Sequence, residues 1–219
     1  MAAAVEREPV GPPPARSPAV STVAGWIPAD PGPLGLGAFA MTTFVLSMFN
    51  SNLVDPKGSA VVLGLALAYG GIVHVLAGLW EFRTGNTFGA VAFCSFGAFW
   101  ISFWALNVFY AKQIGGNAGH AVGVYLWAWA IFTAYMTVAA LRVSGAVLLV
   151  FVLLTVTFVL LAIGATGPHE SVTHAGGYVG LATAAAAWYA SFAAVINSTF
   201  ARTVLPVFPL SPGRPAAER

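Results

Sequence analysis

The groups most able to do chemistry in this sequence are polar side chains that stand inside long apolar runs. His74 lies near the middle of the run 59–81, and hydroxyl and amide groups occupy comparable positions in other runs. A buried polar group without a partner costs free energy, so a polar group at membrane depth predicts a role in binding or in helix contacts. For His74, a structural hydrogen bond to a neighbouring helix is the alternative to a role in binding. The candidate substrate-binding residues are Thr42, Thr43, Asn50, Tyr69, His74 and Ser95.

The sequence lacks the constellations that catalysis or cofactor binding needs. It contains no nucleophile–base pair at a recognisable motif, no phosphate-binding loop and no cofactor fingerprint. His169 and His174 have no third ligand at a diagnostic spacing, so we expect no metal site. There is no basic patch with interleaved aromatic residues, which argues against nucleic acid as a partner. We therefore expect neither enzymatic activity nor a cofactor.

The apolar content defines the class of protein. Hydrophobic residues make up 58% of the 219 residues and charged residues only 7%, whereas ordinary globular domains carry about 25% charged residues. Each apolar run is near the ~20 residues that a membrane helix needs. The predicted fold class is an all-α membrane protein, a six-transmembrane-helix bundle over 30–206. A disordered, Pro-rich cytoplasmic tail at 1–29 precedes it, and a cytoplasmic C-terminal tail at 207–219 follows. The six predicted runs are about 34–54, 59–81, 88–111, 120–141, 144–167 and 175–198.

Lys and Arg residues predict the orientation. Short connections place consecutive helices antiparallel, and an even number of spans puts both termini on one side. The positive-inside rule then predicts a multi-pass protein of the cell membrane with both termini in the cytoplasm. Arginines near the membrane on that side are Arg16, Arg83, Arg142, Arg202 and Arg214, and the other side has Lys57 and Lys112.

No Lys or Arg lies clearly inside a span. This absence limits the kinds of solute that the protein could carry. A path for a fully charged anion would usually offer a cation, but here only hydroxyls, amides and helix N-termini are present. The sequence therefore favours a small neutral solute, or a weak acid that crosses in protonated or partly hydrated form. At the cytoplasmic end of the second run, Glu81 and Arg83 predict an interfacial salt bridge.

The first helix is expected to begin after Asp30. The Asp30 carboxylate is predicted to be the N-cap, and Pro31 suits the first helical position. Thr43, Ser47 and Asn50 follow three- and four-residue steps, so they can share one polar face of this helix. In the third run, Asn86 or Thr87 is expected to cap the helix.

These residues carry a family resemblance. The segment Asp30-Pro31-Gly32-Pro33-Leu34-Gly35-Leu36 resembles the NPAPLGL signature of the acetate uptake transporter family, which includes the bacterial succinate–acetate permeases. The resemblance covers about 30–206. Matching segments follow at 40–43, 69–71, 77–81, 85–89, 97–100, 123–126, 161–164 and 202–206.

The resemblance implies a six-helix protomer in a hexamer, with one substrate path per protomer. It implies uptake of acetate and related short carboxylates, in some members succinate, by channel-like or proton-coupled movement. By position, Phe39, Phe96 and Leu154 correspond to the family's hydrophobic constriction. Lipid and identical protomers are then the expected macromolecular partners. Glu81, Asn86 and Thr87 would stand at the cytoplasmic mouth.

Four positions depart from the family pattern. Asp30 stands for the signature Asn and Gly32 for the signature Ala, Phe96 replaces the usual Tyr of the constriction, and His74 stands where Gln is common. The last two changes leave the substrate open. A channel for a small neutral amide such as urea is the alternative function, since acid-gated urea channels also use six helices and hexamers. A membrane scaffold without transport fits poorly, because it does not explain the polar face of the first helix.

Overall fold

The computed structural model describes residues 28–167 and 169–211, which are almost entirely helical. Residues 1–27 of the predicted N-terminal tail and 212–219 of the predicted C-terminal tail lie outside the described residues. The principal helices are α1 (Gly32–Asn50), α2 (Val62–Leu67), α3 (His74–Thr84), α4 (Thr87–Ala105), α5 (Ala111–Ile114), α6 (Ala118–Ala140), α7 (Gly145–Ala165) and α8 (Glu170–Thr199).

Irregular helical turns join several of these helices into longer runs. A 3₁₀ turn at Pro56–Val61 and a π-helical turn at Ala68–Val73 make α2 and α3 one continuous run, Pro56–Thr84. A second π turn, Leu106–Tyr110, follows α4. Such turns mark interruptions of the regular hydrogen-bond ladder and often occur near functional sites.

Five helical segments of the described chain are long and apolar enough to cross a membrane. One of them, Thr87–Ala140, contains both α4 and α6. Its aromatic contacts pair Phe96 with Phe132 and Phe99 with Trp129, and the Tyr125 hydroxyl donates to the carbonyl of Phe99. As the residue numbers increase along α4, those of the contacting residues on α6 decrease. The two helices therefore run antiparallel.

The long helices pack side by side in a closed order. Helix α1 contacts α8, α8 contacts α7, and α7 contacts α6, while α4 contacts α6 and α3, and α3 returns to α1. Small residues allow these close approaches, as they commonly do between membrane helices. At Gly177 on α8, an added Cβ would overlap the backbone of Asn50 and Ser51 at the end of α1. The bundle therefore surrounds a central region to which α1, α4 and α7 all contribute.

The caps depart slightly from the sequence prediction. Helix α1 begins at Gly32 with Pro31 as its N-cap residue, so Asp30, the predicted cap, stands one position before the observed cap. Its carboxylate nevertheless accepts a hydrogen bond from the Gly32 amide at 2.8 Å, because an aspartate side chain reaches the amide two residues on. The prediction for α4 is confirmed, since Asn86 is the N-cap and accepts from the Gly89 amide at 3.1 Å.

The chain after α8 folds back against the bundle. The Asn197 side chain accepts from the amides of Val204 and Leu205 and donates to the carbonyl of Leu205. Further on, the amide of Gly145 donates to the carbonyl of Phe208 at 2.7 Å at the start of α7. The segment 204–209 therefore links the end of α8 to the junction of α6 and α7.

Candidate functional site

Three side chains from separate helices meet in the centre of the bundle. Phe39 on α1, Phe96 on α4 and Leu154 on α7 belong to one hydrophobic cluster and are 5%, 2% and 4% exposed. The ring centroids of Phe39 and Phe96 are 6.1 Å apart. The residues assigned by resemblance to the constriction are thus brought together from positions far apart in the chain.

More aromatic rings surround Phe96 than the sequence indicated. Its ring lies 5.3 Å from Phe132 on α6, and 6.0 Å and 6.4 Å from Phe151 and Phe158 on α7. Edge-to-face and offset arrangements of this kind stabilise aromatic clusters beyond the area they bury. Sequence reasoning missed these three residues because α6 and α7 are apolar on all sides, so nothing in their pattern indicates which face points inward.

A cavity of about 660 Å³ lies next to this cluster, among the helix ends furthest from the two termini. Phe99 and Phe158 form part of its wall, and their rings are 5.2 Å apart. Since Phe158 also stacks on Phe96, the cavity ends close to the buried cluster. The remaining wall is mostly apolar, and its polar members are Asn50, Ser59, Asn107, Tyr125 and Thr173.

The polar residues of α1 do not all face this region. Thr42 is fully buried, donates to the Ala38 carbonyl at 2.9 Å and packs against Gly70 of the π turn. Ser47 packs against Gly180 on α8, whereas Asn50 lines the cavity. Thr43 is 5% exposed and its hydroxyl has no hydrogen-bond partner. The single polar face expected for α1 is therefore divided between a helix contact and the cavity.

Two other predicted binding residues lie away from the cavity wall. Ser95 is half-buried and belongs to neither the hydrophobic cluster nor the cavity lining. The Tyr69 hydroxyl lies beside Gly37 of α1.

His74 occupies the first position of α3, directly after the π turn, and is 1% exposed. Its ring lies 6.3 Å from Phe39 and 5.2 Å from Phe93. Neither ring nitrogen makes a hydrogen bond of good geometry, although the backbone of Gly70 is close by. A neutral imidazole carries one donor and one acceptor, so this ring retains hydrogen-bonding capacity for a ligand.

A group of polar residues gathers where α1, α3 and α4 meet, on the side of the termini. Glu81 is 3% exposed and accepts from the Thr84 hydroxyl at 3.1 Å, and its carboxylate lies close to Gly32 and Gly89. The predicted salt bridge with Arg83 is wrong, because Arg83 is exposed while Glu81 is buried. Glu81 and the side chain of Asn86 meet beside Gly89, and Asn86, like Thr87, is exposed.

Comparison with known proteins identifies the family. The sequence profile of the GPR1/FUN34/yaaH family matches residues 16–212. The chain belongs to this family. The ammonia transport outward protein 2 of Saccharomyces cerevisiae is 43% identical over 173 residues, 76% of this chain and 61% of that protein. The succinate-acetate/proton symporter SatP of Escherichia coli is 40% identical over 182 residues, 82% of this chain and 95% of SatP.

A solved structure supports the fold. The structure of the bacterial acetate channel SatP superimposes with a TM-score of 0.76 at 38% identity, covering 82% of this chain and 99% of that one. The family match spans every helix from α1 to α8 and includes the signature segment at 30–36. The resemblance found in the sequence is thereby confirmed.

Proposed function

We propose that this protein carries acetate and related short carboxylic acids, succinate among them, across the cell membrane. The observation that carries the proposal is the buried, charge-free cluster of Phe39, Phe96 and Leu154 beside a cavity. Relatives named as a succinate-acetate/proton symporter and as an acetate channel support acetate as the substrate. These relatives are transport proteins, which favours transport over catalysis, and they do not favour the urea alternative.

The proposed path runs through the bundle from the cavity to the side of the termini. An acid enters beside Asn50, passes the constriction of Phe39, Phe96 and Leu154, and leaves near Glu81, Asn86 and Thr87. A carboxylate in the constriction sheds water without gaining a charged partner, which costs several kcal/mol or more. The neutral acid is cheaper to pass. The unpaired groups of Thr43 and His74 then serve as hydrogen-bond partners for the carboxyl group.

The proposed protomer crosses the membrane six times. The antiparallel pairing of α4 with α6 supports two crossings within the run Thr87–Ala140. With six crossings both termini lie on one side, and the arginine distribution supports the cytoplasm. Exposed large apolar side chains on α6 and α8, such as Ile131 and Phe192, suit contact with lipid or with identical protomers. We propose that the protomers assemble as a hexamer with one path each.

Transport by purified protein in liposomes tests the function. We expect labelled acetate to enter faster than it enters empty liposomes, with urea remaining at the background rate. Because neutral acids also cross lipid unaided, a matched control variant, Phe96→Trp, should close the path at equal protein content. Ammonium is measured alongside, since one relative is named for ammonia transport. Acetate entry equal to that of the Phe96→Trp variant would contradict the proposal.

Two further measurements address coupling and assembly. Acetate accumulation under an imposed pH gradient, compared with none, separates a proton symporter from a passive channel, because accumulation above equilibrium requires coupling. Native mass spectrometry of the detergent-solubilised protein tests the hexamer, with six copies of the 22.6 kDa chain expected per particle. A stable particle with another number of copies would reject the hexamer without affecting the transport proposal.

A further inference from the structure

Phe93 connects α4 with both α3 and α1, on the side of Phe39 nearer the termini. It precedes Phe96 by about one helical turn and is half-buried. Its ring centroid is 5.2 Å from that of His74, at an interplanar angle of 49°. The opposite helix offers it a flat surface at Gly35, where an added Cβ would lie 2.7–2.8 Å from three of its ring carbons. The absence of a side chain at Gly35 therefore makes room for this ring.

The imidazole of His74 is enclosed between two aromatic rings. Phe39 contacts it at 6.3 Å and Phe93 at 5.2 Å, and the ring is 1% exposed. Neither nitrogen has a hydrogen bond of good geometry. Buried polar groups in proteins are nearly always paired, so an unpaired imidazole indicates a site for a polar ligand. A neutral imidazole has one donor and one acceptor, which matches a protonated carboxyl group.

The two walls of this site differ in how firmly they are held. Phe39 is 5% exposed and packs against Phe96 within the hydrophobic cluster. Phe93 is half-buried, lies at the margin of that cluster and rests on the bare backbone of Gly35. When an acid approaches His74 from the side of the termini, the Phe93 ring therefore moves aside at a lower cost in free energy than the Phe39 ring.

We propose that Phe93 determines the length of the acid that can bind at His74, and that Gly35 positions Phe93 for this role. The proposal rests on the proposed function. The ring of Phe93 covers the imidazole, so a bound acid must fit its carbon chain between Phe93 and Phe39. A two-carbon chain demands little movement of the ring, whereas each further carbon demands more.

Flux selectivity gives the first test. We expect Phe93→Ala to raise the ratio of butyrate flux to acetate flux about tenfold, the scale on which a pocket discriminates one or two methylenes. Phe109→Ala is the matched control, because Phe109 is exposed and remote from this site, and it should leave the ratio unchanged. A ratio in Phe93→Ala equal to that of the unmodified protein would overturn the proposal.

A double-variant cycle tests the role of Gly35. The methyl group in Gly35→Ala would overlap the Phe93 ring and must displace it from its position beside His74, so acetate flux should fall. Adding Phe93→Ala removes the ring and should restore the flux. Gly64→Ala is the control, since nothing lies within 4 Å of an added Cβ there. If the defect of Gly35→Ala persists in the double variant, the glycine acts through helix packing and the positioning role is wrong.

Cysteine labelling tests whether the Phe93 ring covers His74, and it does not rely on transport. A cysteine is placed by His74→Cys in a Cys94→Ala background, and its reaction with a small, membrane-impermeant methanethiosulfonate is followed in inside-out vesicles. We expect Phe93→Ala to accelerate the reaction severalfold, because the ring that lies beside this position is removed. Equal rates with and without Phe93 would overturn the proposal. If no variant carries acetate but labelling still responds to Phe93, the proposed function fails while the cover over His74 stands.

Discussion

Phe96 is the residue on which the proposed selectivity depends most directly. Its ring is 2% exposed and contacts rings from α1, α6 and α7, so it fills the centre of the bundle. A phenylalanine offers a passing solute bulk but no hydrogen bond. The resemblance places a tyrosine at this position in the family, so at the proposed constriction this chain offers size and apolarity alone.

Truncation of Phe96 should widen the path. We expect Phe96→Ala to raise lactate and succinate flux more than acetate flux, because the lost ring leaves space for longer chains. The measurement is uptake of the three labelled acids at matched expression. Truncating a buried Phe also costs about 3–5 kcal/mol of stability, so Phe96→Leu is measured in parallel as a smaller change. An equal fall for all three acids would mean that Phe96 serves only packing and that the constriction lies elsewhere.

Adjacent threonines on α1 offer a matched pair. The Thr43 hydroxyl is buried and unpaired, whereas that of Thr42 donates to the Ala38 carbonyl within its own helix. We expect Thr43→Val to lower acetate flux about two- to tenfold, as for loss of one hydrogen bond worth about 0.5–1.5 kcal/mol. The isosteric change Thr42→Val should leave flux nearly unaltered. A larger effect at Thr42 than at Thr43 would show that the assignment of the Thr43 hydroxyl to the substrate is wrong.

Among the helices, the contact between α1 and α8 is the most extensive, and it fixes how α1 presents its residues. Gly180 receives Ser47, and Trp188 lies 5.1 Å from Phe44. Near the start of α1, the Ser191 hydroxyl donates to the Pro33 carbonyl at 2.7 Å. These contacts hold one side of α1 against α8, which leaves Phe39 and Thr43 for the interior.

This packing predicts the effect of a single methyl group. We expect Gly177→Ala to destabilise the protein by about 1–3 kcal/mol, because the new Cβ would overlap backbone atoms of Asn50 and Ser51, which cannot rotate away. Gly64→Ala should be neutral or slightly stabilising, since the space around its Cβ is open. Thermal unfolding of the purified variants in one detergent measures both changes. A Gly177→Ala variant as stable as Gly64→Ala would show that α8 can move away from α1.

The helices also show which features of the fold the sequence could predict. Length and apolarity located the helical runs, although the predicted start of the last run at 175 misses the first turn of α8, where Glu170 makes the sequence polar. The adjacent glycines of Ala68–Val73 indicate close packing or a local opening of the backbone, but no pattern of apolar residues there distinguishes a π turn from regular helix. The burial of Glu81 was missed for another reason: it depends on small residues, Gly32 and Gly89, contributed by two other helices.

At the scale of the whole molecule, the two ends of the proposed path differ in chemistry. The cavity end is mostly apolar, with amide and hydroxyl groups at its wall, whereas the end near the termini gathers Glu81, Asn86 and the carboxylate of Asp30. A carboxylate group at one end and none in the constriction favours release of the neutral acid into a polar mouth. The proposed direction of uptake requires this polar end to face the cytoplasm.

The orientation follows from the arginine asymmetry and can be measured directly. Single cysteines at Lys57 and Lys112, in a Cys94→Ala background, should react with an impermeant thiol reagent added to intact cells. Both lysines are exposed in connections on the side of the cavity. A cysteine at Thr84, which is exposed at the other end of α3, should react only after the membrane is opened. Reaction of the Thr84 variant in intact cells would overturn the six-span order, since α1 and α3 would then have to enter the membrane from the other side.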